Sequence, residues 1–128
     1  MELCNKIAID TNMLLYVIAH KIDLFPELRN TFGNAEIVVP QSVVSELDKL
    51  AGTRRKSANA TRAEIAKKLL ELNNVKVVKL SKNADNDLAR LAKMGYAVAT
   101  NDRELKKLIK DCGGKVIYVR KKKVLEVS

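Results

Sequence analysis

Four carboxylates stand at comparable places along the chain. Asp10 ends the apolar run Ile7–Ala8–Ile9, and Asp102 follows the run Tyr96–Ala99 by way of Thr100 and Asn101. Glu46 falls in the second turn of a helical stretch after Ile37–Val39, and Asp85 in the first turn of the helical stretch before Tyr96. In an open parallel sheet, ligands bind in the crevice beyond the carboxyl ends of the strands. If the strands ending at Asp10 and Asp102 are neighbours, those two acids face each other there. Carboxylates brought that close repel, and some are forced to protonate unless a cation intervenes. Oxygen ligands without a His or Cys cluster suit Mg²⁺ or Mn²⁺, and the single His20 argues against zinc. A metal held this way can activate a water and stabilise charge on a phosphodiester. Each acid also has a plainer role. Asp85 and Asp102 suit a helix start, where a carboxylate gains about 0.3–1 kcal/mol from the dipole. Glu46 can be a solvated charge near Lys49 or Arg54, pointing partly inward at the border of the stripe Val43, Leu47 and Leu50. Capping explains Asp10 less well, because Thr11 and Asn12 already offer caps.

The elements that must position these acids can be read from apolar periodicity and its punctuation. Strands are expected at Lys6–Asp10, Ile37–Val39, Val75–Val78, Tyr96–Ala99 and Val116–Val119, with Val124–Val127 as a further edge strand. Helices are expected from Thr11 or Asn12 to about His20, over Leu24–Phe32, from Gln41 or Ser42 to Gly52, and over Ala58–Leu72 with Ile65, Leu69 and Leu72 on one face. Two more follow, one capped by Asn83 and closed by Gly95, the other running from Asp102 to Gly113–Gly114 on Leu105, Leu108 and Ile109. Strands alternating with helices predict a parallel sheet covered by helices on both faces.

Length and charge set the remaining bounds. A chain of 128 residues with 47% hydrophobic residues reads as one domain over 1–128 with a real core. No apolar run approaches the roughly 20 residues of a membrane helix, and the first residues lead straight into a strand, so no secretory signal is expected. Cys4 and Cys112 form no CxxC and suit reduced thiols in a cytoplasmic protein, with Cys112 packing at a helix end. The net charge of +9 favours a polyanionic partner. Arg54, Arg55 and Lys56 form a basic loop suited to a nucleic-acid backbone, whereas Arg120–Lys123, at the far end of the chain, reads as solvated surface. Tyr16, Tyr96 and Tyr118 fit core or strand positions better than a stacking platform.

Four stretches together resemble the PIN-domain ribonucleases, in that family's order and across essentially the whole chain. They are Ile7–Ala8–Ile9–Asp10–Thr11–Asn12, then Val39–Pro40–Gln41–Ser42–Val43–Val44–Ser45–Glu46–Leu47–Asp48–Lys49–Leu50, then Asn83–Ala84–Asp85–Asn86–Asp87–Leu88, then Ala99–Thr100–Asn101–Asp102–Arg103–Glu104–Leu105. The resemblance implies a three-layer α/β/α fold with a central parallel sheet of about five strands in the order 3-2-1-4-5. It implies an Mg²⁺- or Mn²⁺-dependent endoribonuclease that hydrolyses RNA through a metal-activated water. Carried over by position, the acids are Asp10, Glu46, Asp85 and Asp102, with Asn12, Thr100, Asn101 and Asp87 as supporting polar groups. The family's Asp-Asp pair is here Asp85–Asn86, with Asp87 one step on; Asp85 keeps the family's spacing to Leu88. The segments Glu46–Leu50 and Ala99–Lys106 look most like the branch that processes small-subunit ribosomal RNA precursors, and the toxin–antitoxin branch is similar in length. The partners implied are RNA, a second copy of the chain, and either a pre-ribosome or an antitoxin, with no membrane.

Other classes fit less well. Phosphate-transferring enzymes of the haloacid-dehalogenase type need an Asp where Asn12 stands, and receiver-like domains need a Lys after a late strand, whereas Lys115 precedes its strand. The glycine-rich loop of P-loop NTPases is absent. The serious alternative is a PIN-like RNA-binding or assembly protein of weak or lost activity.

Overall fold

A computed structural model describes residues 5–53, 57–80, 83–121 and 124–128. Six strands form one sheet: β1 (Lys6–Ile9), β2 (Glu36–Pro40), β3 (Lys76–Val78), β4 (Ala97–Ala99), β5 (Val116–Arg120) and β6 (Val124–Val127). Between them lie α1 (Thr11–Ala19), α2 (Leu24–Phe32), α3 (Gln41–Ala51), α4 (Ala58–Leu72), α5 (Ala84–Lys93) and α6 (Arg103–Asp111). The strand order is β3-β2-β1-β4-β5-β6. The first five strands run parallel, as expected, and β6 adds an antiparallel edge to β5.

Strand alternation divides the core. Ile7 and Ile9 pack with Met13, Leu14, Phe25 and Leu28 beneath α1, α2 and α4, while Ala8, Val38 and Val98 pack beneath Leu88 and Leu91 of α5 and Leu105 and Ile109 of α6. Successive strand residues point to opposite faces, so a parallel sheet buried on both sides needs apolar residues at every position. That explains why β1 and β4 read as short continuous apolar runs.

Two helices turn differently from expectation. The buried face of α4 is Ala60, Ala63, Ala66 and Leu70, whereas Ile65 is 41% and Leu72 77% exposed. Small alanines let α4 approach α1 and α3 closely, and that proximity overrides the larger residues' hydrophobicity. On α6, Leu105 and Ile109 are buried and Leu108 lies at the margin, 37% exposed. The return from α6 to β5 depends on glycine. Gly113 takes φ +78, and a Cβ on Gly114 would stand 2.9 Å from Ile109 Cγ2. Cys112 caps the end of α6, half-buried and unpaired as a disulfide; Cys4 lies outside the described residues.

Candidate active site

The strand order reverses between β1 and β4, which pair from Ile7↔Ala97 to Ile9↔Ala99. Such a switch point opens a crevice at the carboxyl ends of the strands. Asp10 stands at its floor, 6% exposed, with its backbone N–H donating to the Ala99 carbonyl at 3.0 Å. It occupies the N-cap position of α1 with extended backbone (φ −83°, ψ 152°), yet its side chain makes no cap bond. Thr11 and Asn12 do not cap either. Thr11 lies one residue inside the helix and donates its hydroxyl to Glu46 Oε1 at 2.6 Å, and Asn12 is exposed in the first turn.

The Asp10 carboxylate instead takes a bond from Thr100 Oγ1, donated to Oδ2 at 2.9 Å across 90 residues of sequence. Its pKa is raised to about 6, first by burial and then by the charges of Glu46, Asp85 and Asp102, against the lowering effect of the Thr100 bond. All four acids therefore share one electrostatic neighbourhood at one edge of the sheet. Glu46, Asp85 and Asp102 are less enclosed, and only Asp10 is buried. Glu46 is exposed as a residue, and the buried Thr11 hydroxyl holds its carboxylate beside the β1–α1 junction.

Asp102 caps α6, with Oδ1 accepting from the Glu104 and Leu105 amides at 2.9 and 3.1 Å. Both bonds fall on one oxygen. Its own N–H donates to Thr100 Oγ1 at 3.1 Å, so a single fully buried hydroxyl joins the two acid-bearing junctions. Asp85 lies in the first turn of α5, whose cap is Asn83. Asp87 is 1% exposed and accepts from Ser42 Oγ at 2.7 Å, which ties α5 to α3. Asp87 thus bridges α5 and α3, and the charge of Asp85 on the same helix helps raise the pKa of Asp10.

Asn101, expected as a supporting polar group, bonds to the backbone of β5. Its carboxamide is committed elsewhere: Oδ1 accepts from the Val119 N–H at 2.8 Å and Nδ2 donates to the Val119 carbonyl at 3.3 Å. This clasp holds the loop after β4 against the end of β5. The Thr11–Glu46 and Ser42–Asp87 bonds are roles that sequence reasoning does not assign. The sole sequence signal for them is a hydroxyl residue beside or one turn before an acid. Arg54, Arg55 and Lys56 lie outside the described residues.

Among the described residues no three acids already form a closed ligand group. Glu46 is engaged by the Thr11 hydroxyl, whereas both cap bonds of Asp102 fall on Oδ1 and leave Oδ2 without one. The donor chemistry fits a hard divalent cation: carboxylate oxygens predominate, and a cation beside Asp10 would relieve both its burial and its like-charged neighbours. A cleft of about 380 Å³, lined by Lys6, Tyr96, Gly114 and Lys115, opens at the other end of the sheet, away from these acids.

A family model described as "PIN like domain" matches residues 7–122. The chain is 37% identical over 116 residues to Ribonuclease VapC9 of Archaeoglobus fulgidus, covering 90% of this chain and 83% of that protein. It is 35% identical over 127 residues to Ribonuclease VapC4 of Methanocaldococcus jannaschii, covering 95% of each. Among solved structures, the PIN domain endonuclease Utp24 superposes with a TM-score of 0.78 at 26% identity, over 96% of this chain and 90% of that one. A domain of a functionally unknown protein from Methanocaldococcus jannaschii shares the fold, with a TM-score of 0.64 at 20% identity over 91% of each chain. PIN-domain nucleases generally depend on divalent metal. Among the described residues, no helix is long and apolar enough to cross a membrane.

Proposed function

Since the chain belongs to the PIN-domain family and is an endoribonuclease, we propose that Asp10, Asp85 and Asp102 hold one or two Mg²⁺ or Mn²⁺ ions, with Glu46 completing the set directly or through water. The observation that carries this reading is Asp10. It is a buried carboxylate at the sheet's switch point whose acidity is weakened by burial and by the other three acids. A divalent cation bound there supplies a lower pKa for water and offsets charge on the phosphate.

The chain's own groups then have distinct tasks. Thr100 fixes the orientation of Asp10. Asp102, anchored through Oδ1, presents Oδ2 without a competing cap bond. Glu46, held at the junction by Thr11, would complete the set of acids around a bound cation. Water adds to phosphorus in line with the departing 3′ oxygen, which leaves 5′-phosphate and 3′-hydroxyl ends. The reading places the protein in the cytoplasm, with RNA as substrate.

The natural RNA follows one of two branches. The segments Glu46–Leu50 and Ala99–Lys106 support ribosomal RNA processing. The identity to two VapC ribonucleases supports the toxin branch, with an antitoxin partner. Cleavage of an unstructured RNA and of a small-subunit rRNA precursor, with Mg²⁺ or Mn²⁺, tests both levels. Asp10→Asn should lower the rate by about 10²–10³-fold or more, the range for losing one preorganised charge-stabilising group. Equal cutting by the variant, or mapped 2′,3′-cyclic ends, overturns the assignment. The preferred RNA separates the branches.

A further inference from the structure

One side chain brings the segment of Asp102 to that of Arg120 across 18 residues of sequence. The Asn101 carboxamide grips the backbone of Val119, so Asp102 and Arg120 each lie one residue beyond the same clasp. Helix α6 starts at that point and runs back along β5. The side chains between them keep register. Lys106 Nζ sits 4.3 Å from the centroid of the Tyr118 ring, and one turn further Lys110 Nζ donates to Ser128 Oγ, whose backbone pairs with Val116. One turn in the other direction, a helix rise of about 4.5 Å over three residues and a strand rise of about 6.6 Å over two carry Arg103 and Arg120 the same way, toward the crevice. Arg103, Lys106 and Lys110 are spaced i, i+3, i+7, so they form one row along α6. Arg103, Lys110 and Arg120 are exposed, and Lys106 is half-buried. The row ends at the acid crevice.

We propose that Arg103, Lys106, Lys110 and Arg120 form a track that binds the phosphates of single-stranded RNA and leads the strand to the crevice. The proposal rests on the endoribonuclease reading for its ligand. The track is partly pre-positioned: the Tyr118 ring holds Lys106, and Ser128 holds Lys110. A countercharge sits on it. Glu126 accepts from Arg120 Nη1 at 2.8 Å and from the Tyr118 hydroxyl at 2.9 Å. The Arg120–Glu126 pair is exposed enough for a phosphate to displace the carboxylate at small cost. Glu126 therefore restrains RNA binding in the free protein.

The test is binding of a short unstructured RNA to the full chain in chelator, across a salt series. Each phosphate that the protein no longer neutralises on a single strand should make the dependence of log K on log salt shallower by about 0.7. Arg103→Gln/Lys106→Gln/Arg120→Gln removes three such cations and should flatten the slope by about two. Arg103→Gln/Arg120→Gln, which leaves Lys106 on the Tyr118 ring, should flatten it by about 1.4. A control triple on distant exposed lysines, Lys21→Gln/Lys68→Gln/Lys76→Gln, should leave the slope in place. Glu126→Gln keeps an acceptor for Tyr118, removes the countercharge, and should tighten binding. An unchanged slope in both track variants overturns the proposal, as does an equal flattening in the control. If binding follows the track but no RNA is cut with metal restored, the track stands and the catalytic assignment falls. If RNA is cut while the slope ignores the track, the reverse holds.

Discussion

The junctions β1–Asp10–α1 and β4–Asp102–α6 begin from the same local pattern: a buried strand, an acid, then a helix. Both acids occupy N-cap positions with extended backbone. Asp102 does what such an acid ordinarily does and accepts two helix-start amides. Asp10 accepts none and takes the Thr100 hydroxyl instead. β1 is central, flanked by β2 and β4, so the end of its strand is buried and Asp10 loses its water. Asp102 projects from its junction into solvent. One residue type in one local motif thus becomes a structural anchor where water and amides solvate it, and a strained charge where neither does.

The two junctions should diverge most under substitution of Asp10. A carboxylate whose folded pKa is about 6, against 3.8 in the open chain, costs no stability below pH 3.8. The cost grows between those values and is full above pH 6, where it amounts to about 3 kcal/mol. In chelator, the stability of wild type relative to Asp10→Asn should therefore fall as pH rises from about 4 to about 7. Asp10→Asn should be the more stable protein at about pH 7.5 by up to about that amount while losing cleavage. Thermal melts across pH check this, and a variant less stable than wild type at neutral pH would refute the picture of a strained charge.

Thr100→Val reaches both junctions at once by removing the hydroxyl they share. Losing a hydrogen bond to a buried charge should destabilise the chain by about 1.5–3 kcal/mol at neutral pH. Less of that loss should remain near pH 4, where Asp10 is protonated. Denaturant titrations at the two pH values read the difference.

The smallest effect separates the two jobs of Asp102. Asp102→Ala should cost about 1 kcal/mol by loss of the cap, whereas Asp102→Asn keeps a capping oxygen and should cost a few tenths at most. Both should impair cleavage. If Asn restores cleavage together with stability, the negative charge of Asp102 has no catalytic role.

Reading the chain residue by residue recovers elements whose signals are local. The Asn83 cap, the Leu24–Phe32 helix and the apolar runs of the first five strands all carry their own punctuation. Helix α4 misleads because Ile65 and Leu72 keep helical spacing with Leu69, yet packing against α1 and α3 selects the alanine face. The four acids can be picked out by type and position. Their division of labour cannot, since Thr11 meets Glu46 across 35 residues and Ser42 meets Asp87 across 45.

By itself the sequence determined the alternation of strands and helices, the acids at strand ends and helix starts, and the strong excess of positive charge. Those features rest on side-chain periodicity and short-range backbone preferences, which act within a few residues. Tertiary structure alone decided which acid would be buried, which hydroxyl would hold it, and that Asn101 would reach Val119. Desolvation and charge–charge energies depend on distance through space, and here that distance is set by strand order and by one asparagine clasp between β4 and β5.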